Sequence, residues 1–342
     1  EILLHGEKGY FTGTSTKEFM TVGDTSEYTA HDFSDVAGQA EAKRAMEIAA
    51  SGAHNILLLG AAGCGKSVLA QCMQGILPPL TFEEACENTL IYSVAGKLRR
   101  DTPLAAFRPF RRIHSGTTLQ GLVGGGGRPI RPGEITLANH GILFFDEITE
   151  APRGVLEALR EPMEEGSVVL SRMGETGEFP AKFLFVGAGN PCKCGRLFEG
   201  EGKCQCTKSQ IRARLGKLSV PFLDRIDLHV AMRSVSYDTM TAHGKEETSS
   251  AIRERVIAAR EIQHRRFLQE SFSLNGEIPG PLLKKYCLLE DRAYQLIESA
   301  VEKLSLSMRG YEKILRVSRT IADLHAREKI SADDIAEAIQ YR

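Results

Sequence analysis

Short apolar runs and helical segments alternate along most of this chain. Apolar runs at 55–59, 142–145 and 183–188 predict buried strands, and the segments between them are helical or loop-like. The segment at 40–50 is rich in strong helix formers. Because strands that alternate with helices form a parallel sheet covered by helices, we predict an α/β domain over residues 31–240.

The pattern changes near residue 245, after which we predict no further strand. Helices are predicted over 251–269, 282–303, 313–327 and 331–341. We expect Ser331 to be the N-cap of the last helix, with Asp333 and Asp334 in its first turn. These helices predict an all-helical domain over 241–342. Residues 1–30 are polar and mixed, and we interpret them as a lead-in or the end of an upstream domain.

The first apolar run leads directly into a phosphate-binding pattern. The segment Gly60-Ala-Ala-Gly-Cys-Gly-Lys66-Ser67 fits G-x-x-x-x-G-K-[ST] without a mismatch. Glycines allow backbone N–H groups to close around phosphate oxygens, and the N-terminus of the following helix favours anions. We expect Lys66 to reach the β and γ phosphates of ATP and the Ser67 hydroxyl to ligate Mg²⁺. The predicted nucleotide-binding residues are Gly60, Gly63, Cys64, Gly65, Lys66, Ser67 and Asp146.

Polar side chains follow the other two predicted strands. Asp146 and Glu147 end the run at 142–145, where one carboxylate can hold Mg²⁺ and the next can polarise an attacking water. The alternative is a strand that ends in two solvated acids. Asn190 ends the run at 183–188, where it can orient the lytic water, although an Asn before Pro191 is also an ordinary turn signal.

Two segments offer arginines for the same chemistry. Arg225 lies between Asp224 and Asp227, so it is either part of a surface salt bridge or a finger that stabilises the γ-phosphate of a neighbouring subunit. Arg309 opens a predicted helix and Arg316 lies two turns along it. Either of these can reach back over the nucleotide.

In this order the motifs resemble those of an AAA+ ATPase, and more narrowly those of the magnesium-chelatase-like ComM/YifB family. The phrases that carry the narrower resemblance include Asp35-Val-Ala-Gly-Gln39, Gly52-Ala-His-Asn55, Leu159-Arg-Glu-Pro-Met163 and Asn190-Pro-Cys-Lys-Cys-Gly195. The resemblance covers residues 33–342. It implies a P-loop AAA+ parallel sheet flanked by helices and followed by a helical lid domain.

The resemblance also implies partners and residue roles. It implies homo-hexameric rings with ATP at the subunit interfaces and a DNA branch-migration role in natural transformation. It assigns Asn190 as sensor 1, Arg225 as the arginine finger and Arg309 as sensor 2. Relatives of this kind carry an upstream Lon-protease-like domain, of which this chain is expected to hold at most the end.

Charge is balanced overall but not locally. The formal net charge is −1, yet residues 97–131 carry eight basic residues against one acid, around a run of glycines at 124–127. We predict that this stretch, with Arg108, Arg111 and Arg112, forms a flexible insertion that tracks a DNA backbone. The alternatives are a solvated face or pairing with a neighbouring subunit. Residues 168–182 predict a hairpin that turns through Gly-Glu-Thr-Gly at 174–177.

Four of the eight cysteines are clustered. Cys192, Cys194, Cys204 and Cys206 form C-x-C, nine residues, C-x-C in a polar, glycine-rich loop. Four thiolates can make a closed tetrahedral zinc site, but reduced free thiols or ligation by only some of them remain open. Cys72, Cys86 and Cys287 lie in apolar helical contexts, which fits a reducing cytoplasm. No apolar run approaches the length of a membrane span, so no membrane partner is expected.

Three classes of function compete for this sequence. The leading prediction is an ATP-hydrolysing ring motor that acts on single-stranded or branched DNA. The alternatives are the ATPase subunit of a magnesium chelatase and a MoxR-like chaperone that remodels proteins. Stimulation of ATP hydrolysis by DNA distinguishes the first from the other two.

Overall fold

A five-stranded parallel sheet forms the centre of the amino-terminal part of the molecule. The structure is a computed structural model that describes residues 31–98, 104–126, 130–172, 175–241 and 246–342. The sheet has the order β2-β5-β8-β1-β9, and two short hairpins pair β3 with β4 and β6 with β7. The strands are β1 Ile56–Gly60, β2 Phe110–Ile113, β3 Gly124–Gly125, β4 Arg131–Pro132, β5 Ile142–Phe145, β6 Ser167–Arg172, β7 Glu175–Pro180, β8 Leu184–Gly189 and β9 Leu228–Met232.

Helices cover this sheet and make up the carboxyl-terminal part. The helices before residue 245 are α1 Ala40–Gly52, α2 Lys66–Ile76, α3 Phe82–Val94, α4 Leu119–Val123, α5 Glu134–Leu137, α6 Arg153–Ala158, α7 Arg160–Glu165, α8 Lys208–Leu215, α9 Val220–Leu223 and α10 Tyr237–Thr241. Those after it are α11 Ser249–Arg266, α12 Leu283–Tyr286, α13 Asp291–Leu304, α14 Met308–Leu324 and α15 Ala332–Gln340. Short 3₁₀ turns occupy Phe33–Asp35, Ile148–Glu150, Asn275–Glu277 and Gly280–Leu282.

The three strands predicted from apolar runs form the middle of the sheet. All residues of β5 and β8 are buried, because helices cover both faces. The prediction of an α/β fold, with a parallel sheet flanked by helices and a helical carboxyl-terminal part, is therefore confirmed. Strands β2 and β9 were not predicted. Both strands lie at the edges of the sheet, and polar residues interrupt their sequences, Phe-Arg-Arg-Ile and Leu-His-Val-Ala-Met, so neither forms a continuous apolar run.

The basic stretch is built into this fold over the residues that the structure describes. Strand β2 pairs in parallel with β5, with Arg111 opposite Leu143 and Arg112 opposite Phe144. The glycine run contributes β3, which pairs with β4. The prediction that Arg111 and Arg112 lie in a flexible insertion is therefore wrong, since both are residues of a sheet strand.

The hairpin at 168–182 is present, but its turn lies earlier than expected. The register places Arg172 opposite Glu175 and Leu170 opposite Gly177, so Gly177 belongs to a strand. The two residues that join the strands, at 173–174, lie outside the described part of the chain.

The carboxyl-terminal helices follow the predicted order with one interruption. The predicted helix at 282–303 is divided into α12 and α13, because Leu289 forms a β-bridge to Ile330 in place of helical hydrogen bonds. Ser331 is the N-cap of α15, as predicted, and its Oγ accepts a hydrogen bond from Asp334 N. Helix α14 packs against α1, which joins this helical part to the sheet.

Asn55 joins three segments at the amino-terminal end of β1. Its Oδ1 accepts from Phe185 N at 3.0 Å, and its Nδ2 donates to Arg225 O at 2.9 Å. Its backbone N donates to Asp227 Oδ2 at 3.0 Å. Burial opposes ionisation of Asp227, but this bond and the nearby His54 hold the pKa of the carboxyl below its usual range. One amide therefore positions β8 and the turn that carries Arg225 relative to β1.

We expect Asn55→Ala to lower the free energy of unfolding by about 2–3 kcal/mol, because the Phe185 N–H and Arg225 carbonyl lose their partners. Urea denaturation followed by circular dichroism measures the change. Ser171→Ala on the exposed hairpin is the matched control and should shift the midpoint little. An Asn55→Ala midpoint equal to that of the wild type would show that Asn55 does not join these segments.

Candidate nucleotide-binding site

The predicted phosphate-binding loop connects the end of β1 to the start of α2. A Cβ at Gly60 would lie 2.5 Å from Met232 O, so no side chain fits there. Gly63 and Gly65 have φ angles of 79° and 94°, in the left-handed region that favours glycine. The glycines of the motif are thus required by the backbone of the loop itself.

Lys66 lies at the centre of this loop. Its Nζ donates to Gly60 O at 2.8 Å, to Ala61 O at 2.6 Å and to Asn190 Oδ1 at 3.2 Å. Asn190 directly follows β8, the neighbour of β1 in the sheet. The structure therefore brings together the lysine and the amide that the sequence placed 124 residues apart.

Ser67 and Asp146 form a second group beside the loop. Ser67 Oγ donates to Asp146 Oδ2 at 3.3 Å, and the same carboxylate oxygen accepts from Arg112 Nη2. A hydroxyl and a carboxylate oxygen are ligands suited to a hard cation such as Mg²⁺. The residues present thus fit the predicted magnesium site. Arg112, for which we predicted a contact with DNA, is an additional member of this group.

Glu147 differs from Asp146 in exposure and in backbone conformation. Its side chain is exposed, and its φ of 53° is in the left-handed region. Its carboxylate accepts a hydrogen bond from Ser115 Oγ at 3.4 Å. Strain of this kind in a residue other than glycine is concentrated at functional sites. Ser115 lies just after β2, so it could have been found only if that strand had been predicted.

The two predicted arginines lie together on another part of the molecule. Arg225 forms an ion pair with Glu164, and Arg309 Nη1 lies 3.5 Å from Asp224 Oδ2. Lys313 Nζ donates to Ile226 O at 2.6 Å, which fastens the turn that carries Arg225 to α14. The ion pairs that the structure gives for the guanidinium groups of Arg225 and Arg309 are thus with acids and not with the phosphate-binding loop.

Arg316 has a different set of contacts. Its Nε donates to Ile278 O at 2.8 Å, and its Nη2 lies 3.3 Å from Glu312 Oε2. Both partners belong to the helical carboxyl-terminal part. Arg316 is therefore held within that part of the molecule.

Arg108 and Arg111 are internal ion-pair partners. Arg108 is 7% exposed, donates to His140 O at 2.6 Å and pairs with Glu84 at 3.0 Å. Burial lowers its pKa. Arg111 makes a two-bond pair with Glu134 at 2.6 and 2.8 Å. The prediction that Arg108 contacts DNA is therefore wrong, since its guanidinium is buried against these partners. For Arg111 and Arg112, which pair with Glu134 and Asp146, DNA contact stays a prediction.

Of the other basic residues in this stretch, Lys97 lies 3.7 Å from the same Glu134 carboxylate, and Arg131 is exposed. Arg99, Arg100 and Arg128 lie outside the described residues. Among the described basic residues of this stretch, Arg131 is therefore the exposed one that takes no part in these ion pairs.

The four clustered cysteines converge in space. Their sulfur atoms all lie within 4.8 Å of one another. Cys192 Sγ is 3.4 Å from Cys194 Sγ and 3.7 Å from Cys204 Sγ. A tetrahedral Zn–S₄ site with bonds of about 2.3 Å requires sulfur separations of about 3.8 Å, close to these values. The cluster therefore fits zinc in both donor type and spacing.

The thiols of this cluster differ in acidity. A hydrogen bond from the backbone of Arg196 lowers the pKa of Cys194 to about 6, whereas burial raises the pKa of Cys192 to about 12. All eight cysteines of the chain are free thiols. In the part of the chain that the structure describes, no helix combines the length and the apolar character needed to cross a bilayer.

The similarity of this chain to known proteins agrees with the site. Residues 32–240 match the family described as magnesium chelatase, subunit ChlI, and residues 246–342 match its C-terminal family. The chain belongs to the magnesium-chelatase ChlI family. Membership of this family supports an AAA+ ATPase that uses ATP and Mg²⁺, and the resemblance inferred from the sequence is confirmed.

Individual relatives support the narrower resemblance. The chain is 40% identical over 314 residues to the competence protein ComM of Haemophilus influenzae and 41% identical over 314 residues to a YifB protein of Salmonella typhimurium. These matches span 91% of this chain but only 60% of each of these relatives. Identity to the magnesium-chelatase 38 kDa subunit of Cereibacter sphaeroides is 26% over 218 residues, or 59% of this chain and 58% of that subunit.

We expect Glu147→Gln to keep ATP affinity but to slow hydrolysis by at least about a hundredfold, because the amide cannot accept a proton from water. Lys66→Ala should instead weaken ATP binding. Equilibrium binding of a fluorescent ATP analogue and a phosphate-release assay separate the two effects. Glu165→Gln, which also changes an exposed acid, is the control. Normal hydrolysis by Glu147→Gln would exclude Glu147 as the base.

Proposed function

We propose that this chain is the ATP-hydrolysing part of a homo-hexameric ring motor that acts on single-stranded or branched DNA, as in ComM-type branch migration during natural transformation. The observation that carries the ATPase half is the convergence of Lys66 with Asn190 and of Ser67 with Asp146 at the ends of neighbouring parallel strands. Ligands of open parallel sheets bind at this edge.

In this proposal the loop backbone and Lys66 bind the phosphates of ATP. Ser67 and Asp146 hold Mg²⁺, which neutralises phosphate charge when it is bound. Glu147 takes the proton of the attacking water, and its carboxylate is exposed to solvent. Asn190, already within hydrogen-bond distance of Lys66, orients that water or the γ-phosphate. The contacts of Lys66 with Asn190 and of Ser67 with Asp146 support these roles.

Ring assembly is proposed to complete the site. Arg225 and Arg309 make contacts with acids. We assign Arg225 as the arginine finger of the neighbouring subunit's active site, and Arg309 as sensor 2, which reaches the nucleotide from the lid domain. The ion pair with Glu164 would hold the Arg225 guanidinium in place before the neighbour arrives. The division into a nucleotide-binding domain at 31–240 and a lid domain at 241–342 belongs to the same proposal.

The DNA half of the proposal is supported by the ComM relative. Identity to ComM is 40% and covers nearly the whole chain, whereas identity to the chelatase subunit is 26% and covers about three fifths of it. The chelatase subunit is for that reason the second candidate. Because Arg108 is buried and Arg111 and Arg112 pair with acids, the proposal extends the DNA contacts to Arg99, Arg100, Arg128 and Arg131.

We also propose Zn²⁺ as a structural metal at the four-cysteine cluster. Two C-x-C pairs with sulfurs at the observed separations provide a closed ligand set, which is the mark of structural and not catalytic zinc. Free thiols elsewhere in the chain support a reducing compartment, and we place the protein in the cytoplasm.

Arg225→Ala subunits should bind ATP with wild-type affinity but fail to hydrolyse it, because the missing charge acts on the adjacent subunit. Mixing them with Lys66→Ala subunits should restore part of the activity, since some junctions then pair an intact site with an intact arginine. Phosphate release as a function of mixing ratio is the measurement. Rings shown to mix but inactive at every ratio would contradict a role across the interface.

Replacing Arg99, Arg100 and Arg128 with alanine should weaken DNA binding and flatten its salt dependence. The log–log slope should fall by about 0.7–0.9 for each phosphate that the protein no longer neutralises. ATP hydrolysis without DNA should persist. Fluorescence anisotropy with single-stranded and branched DNA between low and high salt measures both quantities, with Arg265→Ala on the exposed face of α11 as the control.

An unchanged slope for the triple variant would remove this segment from the DNA contact. If the wild type neither binds DNA nor is stimulated by it, the motor proposal fails and the chelatase-like function becomes the better one.

A further inference from the structure

The cysteine loop, defined as residues 192–206, lies directly against the phosphate-binding loop. It begins two residues after Asn190. Gly195 has a φ of 73°, and a Cβ placed on it would lie 3.1 Å from Ala61 Cα and 3.5 Å from Ala62 N. Ala61 O in turn accepts a hydrogen bond from Lys66 Nζ. The cysteine loop thus packs, through Gly195, against the backbone of the phosphate-binding loop.

Further contacts tie the same loop and the helix after it to the strand ends. Glu199 Oε1 accepts from Ser234 N at 2.7 Å and from Ser234 Oγ at 2.6 Å, just past β9. In α8, Arg214 Nε donates to Asn190 O at 3.0 Å, and Thr149 Oγ1 donates to the same oxygen at 3.1 Å. The backbone of Asn190 is therefore held by α8, the helix that follows the cysteines, and by the 3₁₀ turn Ile148–Glu150 after β5.

Apolar packing does little to hold these segments. Within the cysteine loop only Cys192 and Gly195 are buried, and α8 has no buried residue. A polar loop without a core gains its order from a cross-link such as a metal bound by its own side chains. Four thiolates that join the two ends of the loop provide this cross-link, which fixes where Gly195 meets the phosphate-binding loop.

We infer that metal bound by Cys192, Cys194, Cys204 and Cys206 holds the phosphate-binding loop and Asn190 in the nucleotide-binding arrangement, so that zinc occupancy controls ATP affinity. The inference rests on the proposed zinc site and the proposed ATP site, and it adds an energetic link between them. When the metal leaves, the binding-competent population falls, and the apparent dissociation constant for the nucleotide rises in inverse proportion to that population. Nucleotide binding should reciprocally raise the affinity for zinc by the same factor.

The test uses the full chain and three variants. Cys204→Ser/Cys206→Ser removes two ligands, and Gly195→Ala keeps all four thiols but places a methyl group against Ala61. Cys86→Ser, a half-buried thiol on α3 outside the cluster, is the matched control. Metal analysis gives zinc per chain, titration with a fluorescent ADP analogue gives nucleotide affinity, and circular dichroism verifies folding.

The wild type and Cys86→Ser should hold about one zinc per chain and bind the nucleotide equally well. The double serine variant should lose its zinc and bind about tenfold more weakly, as expected if the competent population falls to about a tenth. Gly195→Ala should keep its zinc but bind the nucleotide more weakly, because its methyl group displaces Ala61. This variant separates the effect of the Gly195 contact from that of the metal. Removing zinc from the wild type with a zinc-selective chelator should reproduce the weaker binding, and added zinc should reverse it.

Three results overturn the inference, and they are distinguishable. A wild type that holds no zinc after expression in zinc-supplemented medium removes the metal site. Full zinc without nucleotide binding removes the proposed ATP site. Loss of zinc with unchanged nucleotide affinity, in the double variant and after chelation, leaves both sites in place and removes the link between them.

Discussion

The position of β1 in the middle of a parallel sheet is the constraint on which the candidate site depends. Parallel strands end at the same edge, so the residues that follow β1, β8 and β5 become neighbours although they are far apart in sequence. The Lys66 ammonium then bridges the phosphate-binding loop to Asn190. At the opposite end of the sheet, Asn55 sets the spacing of β1 and β8. The order of the strands in the sheet therefore determines which polar side chains of the site become neighbours.

Several arginines of this protein form ion pairs within the fold, among them Arg108, Arg111 and Arg112. A buried guanidinium is stable only where carbonyls or carboxylates replace water, and Arg108 has both kinds of partner. Arg112 supplies positive charge to Asp146, the carboxylate proposed to hold Mg²⁺. A local excess of basic residues in a sequence is thus weak evidence for a nucleic-acid surface when the acids that balance it lie elsewhere in the chain.

The cysteine loop shows how a surface segment can matter to a buried site. Its residues are mostly exposed and polar, yet Gly195 lies against Ala61 and the loop follows Asn190 almost at once. Such a segment has little hydrophobic burial to oppose its conformational entropy, so its order depends on the few contacts and ligands at its ends. The contact of Gly195 with Ala61 is the route by which the proposed metal site would act on the phosphate-binding loop.

The sequence alone determined the features that depend on local pattern. The apolar runs predicted β1, β5 and β8, and the glycines and Lys66 predicted the phosphate-binding loop, because steric demands on a tight loop leave few other residues. Ser331 as a helix cap follows from the same kind of local rule.

Tertiary structure decided what depends on distant partners. The edge strand β2 has only a short amphipathic sequence, so its pairing with β5, and hence the contacts of Arg112 and Ser115 in the site, could not be inferred locally. Glu84 and Glu134 neutralise arginines that lie 24 and 23 residues away. The contact of the cysteine loop with Ala61 exists only once the sheet has brought the ends of β1 and β8 together. Local sterics can be read from sequence, whereas charge compensation and contacts between strand ends require the folded chain.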